Sequence, residues 1–153
     1  SLFPVASFQP PSNRYGVNPS FGYSASGVGD INDDGVDDFA FGAPVATPNA
    51  FPSSQAGVVF VIWGKSSWSS SSDWPSISSL PNISLGMIIQ GSIDYQHIGS
   101  SVTGGCDFNN DGVDDLFFGC QPVNIGNAAV FVVFHHGHQS SMCLLLHSRV
   151  PSS

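Results

Sequence analysis

Apolar residues along this chain come in short runs of four to eight, and no segment repeats them at the helical spacing. Phe39-Ala40-Phe41-Gly42-Ala43 is one such run, stopped by Pro44. Gly57-Val58-Val59-Phe60-Val61-Ile62-Trp63-Gly64 is the strongest, because it is β-branched and aromatic and is closed by glycine. Leu85-Gly86-Met87-Ile88-Ile89-Gln90 reads as a third strand. The order then recurs. Ile98 to Gly104 matches Phe21 to Gly27, Leu116 to Cys120 matches Phe39 to Ala43, and Ala129 to Phe134 matches Val58 to Trp63. A recurring block of this size implies arrayed β-units of four strands each, and an all-β fold. The pattern divides the chain into a lead-in or edge strand over 1–20, a first repeat over 21–91, and a second over 92–153 with an atypical C-terminal end.

Between the first two runs of each repeat lies an acidic loop. The first is Asp30-Ile31-Asn32-Asp33-Asp34-Gly35-Val36-Asp37-Asp38, and the second is Asp107-Phe108-Asn109-Asn110-Asp111-Gly112-Val113-Asp114-Asp115. Both put side-chain oxygens at positions 1, 3, 5 and 9 and glycine at position 6, with the position-7 carbonyl (Val36, Val113) as a further oxygen. Alternate side chains of a tight loop turn inward, so this spacing suits a hard cation with several oxygen ligands. Calcium fits best; magnesium demands stricter geometry, and zinc prefers His or Cys. The plain alternative is a pair of Asx-rich turns without an ion. Such a turn needs only one or two of these residues, whereas two copies of a four-oxygen pattern favour metal.

Charge sharpens this picture. All 11 acidic residues are Asp, nine of them inside the two loops, and only Arg14, Lys65 and Arg149 are basic. Without a basic patch to neutralise phosphates, nucleic acid is not expected as a partner. Charged residues are 9% of the chain, against about 25% in an average soluble domain. That deficit suits a surface covered by glycans or by other chains, and therefore an extracellular setting. Asn82-Ile83-Ser84 is the single N-glycosylation sequon, because Pro19 spoils Asn18-Pro19-Ser20. The Ser/Trp stretch from Lys65 to Ser79 reads as a long surface loop able to carry O-glycans. No apolar run reaches membrane-spanning length. The sequence opens at Ser1 with neither methionine nor a signal-peptide pattern, as expected of a processed or excerpted piece.

Cys106 and Cys120 bracket the second loop, so a disulfide could staple that hairpin. Cys120–Cys143 is the competing pair, and buried free thiols are the plain alternative. Catalytic signatures are missing: there is no Gly-x-Ser-x-Gly elbow and no phosphate-binding glycine loop opening a helix, and the carboxylates suited to acid–base work are those the ion would occupy. An enzyme is not expected. His135, His136, His138 and His147 read as a polar strand end, since neighbours along a strand face opposite ways.

Residues 21–64 and 98–134 resemble the FG-GAP repeat of integrin alpha-subunit β-propellers. The name-giving elements stand here as Phe21-Gly22 and Phe41-Gly42-Ala43-Pro44, then Ile98-Gly99 and Phe118-Gly119-Cys120, where the Ala-Pro ending is lost. Val58 to Ser67 followed by Ile77-Ser78-Ser79-Leu80 is similar to FG-GAP repeats of large secreted proteins. The resemblance implies two four-stranded propeller blades, each with a calcium loop joining its first two strands. The ligands would be Asp30, Asn32, Asp34, Val36 (carbonyl) and Asp38 in one loop, and Asp107, Asn109, Asp111, Val113 (carbonyl) and Asp115 in the other. Asp33, Asp37 and Asp114 fall outside this set, to face solvent or a neighbour. Propellers close with four to eight blades, so two must be completed by further copies, a partner or additional chain.

The expected function is an extracellular or cell-surface calcium-binding module for structural assembly or adhesion, as a homo-oligomer, a filament or a companion of another extracellular protein. A carbohydrate-binding propeller using Trp68 and Trp74, and accessory blades of a larger secreted hydrolase, are the alternatives.

Overall fold

The computed structural model describes residues 15, 19–48, 55–67, 84–121, 129–136 and 139–147, and of 135, 136 and 139–147 the backbone alone. Every regular element among them is a strand: β1 (Ser24–Gly29), β2 (Asp38–Ala43), β3 (Val58–Ile62), β4 (Gly86–Gln90), β5 (Ile98–Cys106), β6 (Asp115–Cys120), β7 (Ala129–His136) and β8 (Gln139–His147). They form two antiparallel sheets, ordered β1-β2-β3-β4 and β5-β6-β7-β8. Among the described residues there is no helix, hence none long and apolar enough to cross a membrane.

Strand β3 is buried at every position, which explains its unbroken apolar run: both of its faces are covered. Val59 and Val61, with Ala40 of β2 and Val28 of β1, face the second sheet. There they share one core with Val102 of β5, Leu116, Phe118 and Cys120 of β6, and Ala129 and Val133 of β7. Val58, Phe60 and Ile62 point the other way and pack with Phe41, Ala43 and Tyr15. Phe41 and Phe60 stack at 5.4 Å, and Phe21 closes on both at 4.5 and 5.2 Å.

Register shows how the sheets are related. Phe41 pairs with Phe60 in the first sheet, as Phe118 pairs with Phe131 in the second. Phe118 and Phe131, stacked at 5.1 Å, lie between the sheets. Phe41 and Phe60 lie on the far side of the first sheet. The front of one sheet therefore meets the back of the next, a heterologous contact that does not close on itself with two members.

Backbone is brought close at this seam. The Ser24 hydroxyl donates to the Gly99 carbonyl at 2.8 Å, and a Cβ added at Gly42 would fall 1.9 Å from that same oxygen. Gly42 therefore cannot carry a side chain while β2 and β5 keep their spacing. Nearby, Gly57 and Ile98 form a parallel bridge, and the Ile98 amide donates to the Ala56 carbonyl at 3.1 Å.

The third strands of the two sheets differ in length. Strand β3 ends at Ile62, whereas β7 continues through His136 and turns into β8, pairing His136 with Gln139 and His135 with Ser140.

The Cys106–Cys120 staple is not formed; both are free thiols, Cys106 exposed and Cys120 buried. Cys106 pairs with Asp115 at the loop end of the β5–β6 hairpin, while Cys120 pairs with Ile98 at the other end. Five residues of strand hold them about 17 Å apart, far beyond the roughly 7 Å between Cα atoms that a disulfide spans. The two cysteines bracket the loop in sequence yet sit at opposite ends of the strand leaving it. The Cys143 side chain lies outside the described residues.

Candidate metal centre

The strand leading into each loop carries a bulge. The β1–β2 register shifts between Gly27 and Gly29, and the β5–β6 register shifts between Gly104 and Cys106. An extra residue at this point bends the strand and re-aims the loop that it enters. Inside the loops the backbone turns left-handed at position 4 (Asp33, φ 60°; Asn110, φ 59°) and again at position 6 (Gly35, φ 87°; Gly112, φ 93°). Asp and Asn tolerate the first bend, and glycine suits the second.

The two loops close on themselves with the same hydrogen bonds. Asp30 Oδ1 and Asn32 Oδ1 each accept the Asp34 amide at 3.0 Å, Asp30 Oδ2 accepts the Gly35 amide at 2.7 Å, and Asp34 Oδ1 accepts the Val36 amide at 3.0 Å. In the second loop Asp107 Oδ1 and Asn109 Oδ1 accept the Asp111 amide at 3.0 Å, Asp107 Oδ2 accepts the Gly112 amide at 2.8 Å, and Asp111 Oδ1 accepts the Val113 amide at 3.0 Å. The oxygens of positions 1, 3 and 5 are thus gathered on the inside of each turn. One difference is that Asn109 Nδ2 donates to Asp111 Oδ2 at 2.9 Å.

Position 9 behaves differently from the rest. Asp38 and Asp115 are the buried acidic residues of the core, at 2% and 0% exposure. Asp38 Oδ2 accepts the Ile31 amide at 3.1 Å and Oδ1 accepts the Gly64 amide at 2.8 Å, which ties the start of the loop to the end of β3. Asp115 Oδ2 accepts the Phe108 amide at 2.8 Å, but its Oδ1 is buried with no hydrogen-bond partner. The Gly64 amide that reaches Asp38 belongs to the residue two places beyond the end of β3, whereas β7 is still paired with β8 at the corresponding position 135. Burial pushes the Asp38 carboxyl up to about 6, against the opposing amides of Gly64 and Ile31, with Asp34 and Asp30 adding to the rise. Burial raises Asp115 as well, with Asp111 and Asp107 contributing.

Among the described residues, no three carboxylate, imidazole or thiol groups converge closely enough to hold an ion by themselves. The converging atoms are a mixture of Asp and Asn oxygens, and they rest on the loop amides. A carboxylate oxygen has lone pairs enough to accept an amide and still face a cation. Both donor sets are all-oxygen and strongly anionic, and the second includes a buried oxygen that nothing satisfies. These features fit a hard divalent ion.

Of the three acidic residues outside the ligand pattern, Asp114 faces the neighbouring loop: its Oδ2 accepts the Asp30 amide at 3.2 Å across the seam. Asp33 and Asp37 are exposed. No local pattern announces the Asp114 contact, which joins residues 84 apart. Asn82, Trp68, Trp74 and His138 lie outside the described residues, as do the side chains of His135, His136 and His147.

The fold and loops together define an all-β protein of two stacked antiparallel sheets, each with an acidic loop between its first two strands. Among proteins of known identity the chain is similar to integrin alpha-E of Mus musculus, 33% identical over 103 residues, which is 67% of this chain and 8% of that protein. It is similar also to integrin alpha-E of Homo sapiens, 29% identical over 117 residues, or 75% of this chain and 9% of that protein. The chain thus spans less than a tenth of the length of these relatives. No family model matches it.

Proposed function

We propose that the chain is a pair of FG-GAP-type propeller blades, each stiffened by one calcium ion in its acidic loop, serving extracellular adhesion or structural assembly rather than catalysis. The observation that carries the reading is the duplicated loop, with five hydrogen bonds in common. A fold needing only two turns would not require the same inward oxygens twice. Asp30, Asn32, Asp34, the Val36 carbonyl and Asp38 would hold one ion, and Asp107, Asn109, Asp111, the Val113 carbonyl and Asp115 the other. Bound calcium would supply positive charge to clusters of four and five carboxylates that otherwise repel one another.

Support for blades within a longer array comes from the open front of the second sheet. Phe108, Phe117, Val130 and Phe134 hold the repeat positions of Ile31, Ala40, Val59 and Trp63, all of which pack into the core between the sheets. Ile31 is 5% exposed and its counterpart Phe108 is 69% exposed. Phe108 sits 5.8 Å from Phe117 and 6.5 Å from Phe134. The occupant that matches this surface is a further sheet of the same type, presenting the face that Phe118 and Phe131 present to the first sheet. The likeness to integrin alpha-E supports an adhesion role at the cell surface.

Calorimetric titration with Ca²⁺, with Mg²⁺ in parallel, tests the ion. Two binding events per chain with calcium preferred are expected, and heat-silent titration with an unchanged melt in EDTA would refute the assignment.

A further inference from the structure

The two loops are joined by one side chain. Asp114 sits at position 8 of the second loop, between the Val113 carbonyl and the buried Asp115. Its Oδ2 accepts the amide of Asp30, the first residue of the other loop, at 3.2 Å. The carboxylate lies flush against that backbone: a Cβ added at the preceding Gly29 would fall 1.8 Å from Asp114 Oδ2 and 2.5 Å from its Cγ. The other strand is also close, where a Cβ at Gly104 would come 2.8 Å from Cβ of Val28 across the seam. A side chain at Gly29 would displace the Asp114 carboxylate, and one at Gly104 would press on Val28.

Resting on the calcium reading, we infer that Asp114 couples the two ion sites, so that occupancy of the second loop prepares the first. The physical reason is geometric. Asp30 supplies both carboxylate oxygens to its own loop, accepting the amides of Asp34 and Gly35. The orientation of that carboxylate depends on the backbone at Asp30, which is pinned by Asp114. Asp114 moves with Val113 and Asp115, which the second ion would fix. The coupling free energy is reciprocal, although the contact that carries it is built from one side. The equivalent residue of the first loop, Asp37, is exposed, so the first loop offers no matching side chain to the second. Asp114 is a positioning residue: it ligates neither ion, and acts through the Asp30 amide.

The test uses the full chain, Ca²⁺ as the probe, and the amide resonances of Gly35 and Gly112 as separate reporters of the two loops. In the parent, silencing the second loop with Asp111→Ala is expected to weaken calcium binding at the first by about fivefold or more, the usual scale of a coupling between sites. In Asp114→Ala the first loop starts weaker, and Asp111→Ala changes it no further. Asp114→Asn, which keeps an acceptor oxygen, retains part of the coupling. A merely structural role would lower the melting temperature without changing this double-mutant difference. If the parent binds calcium at both loops and Asp111→Ala weakens the first equally with and without Asp114, the coupling is wrong and the ion sites stand. If neither glycine responds to calcium in the parent, the calcium reading fails and the coupling falls with it.

Discussion

Substituting Gly42 by alanine probes the seam on which the pairing of the two sheets depends. Gly42 has ordinary strand dihedrals, so its backbone would accept any residue; only the neighbours forbid one. The added methyl would lie 1.9 Å from the Gly99 carbonyl oxygen and 2.6 Å from the Ser24 hydroxyl. The first neighbour is backbone, held by β5, and cannot swing aside. Relief requires the sheets to part locally, an overpacking cost of about 1–3 kcal/mol. The Ser24–Gly99 hydrogen bond is lost with it, about 1 kcal/mol more. For a chain of this size that total lowers the melting temperature by about 5–15 °C. Gly27, in the partner strand β1, is the matched control: nothing lies within 4 Å of its added Cβ. Gly27→Ala should be neutral or gain about 0.4–1 kcal/mol by stiffening the unfolded chain. Urea and thermal unfolding, followed by far-ultraviolet circular dichroism at fixed calcium, read both variants. A Gly42→Ala melt within about 2 °C of the parent, or a Gly27→Ala loss as large, would refute the close approach of the sheets.

Other outcomes rest on the same geometry. In EDTA the chain should melt higher at pH 5 than at pH 7. The native state holds a proton on Asp38 up to about pH 6 while the unfolded chain releases it near 3.8, so stability grows as pH falls through 6 and the gain is complete near 4, amounting to about 3 kcal/mol from this group. Saturating calcium should reverse that slope, because the charged form is the ligand, and a melt rising with pH in EDTA would contradict the burial argument. Saturation at about 100 times the dissociation constant should add about 2.7 kcal/mol per site, measured as the difference between melts in calcium and in EDTA. Phe108→Asp should leave the melting temperature of the chain nearly unchanged while suppressing any self-association seen by light scattering; an equally large oligomer would show that the open face of the second sheet is not where chains meet. Native alkylation followed by intact-mass analysis should label Cys106 readily and Cys120 only after unfolding, and blockage of Cys106 without reductant would contradict the free thiols.

Much of this protein is legible along the chain because its signals are local. A run such as Val58 to Ile62 declares a strand by composition alone, and the Asp/Asn/Gly spacing of the loops is written within nine residues. The repeat adds that whatever one loop does, its twin does also. The seam is different, for its contacts join residues 75 and 84 apart, where no periodicity reaches. Which face of each sheet meets its neighbour, why Gly42 is confined, and where the carboxylate of Asp114 points depend on how two rigid sheets stack. Cys106 and Cys120 show the limit plainly, since nearness in sequence becomes distance once a strand runs straight between them. Asp115 is the subtlest case. Its spacing matches that of Asp38, yet one of its oxygens is buried without a partner while both oxygens of Asp38 accept amides. The chain's order thus determines the repeated units and their acidic loops; the stacking of the sheets decides how those units touch, because burial and close backbone approach are properties of the assembled surface.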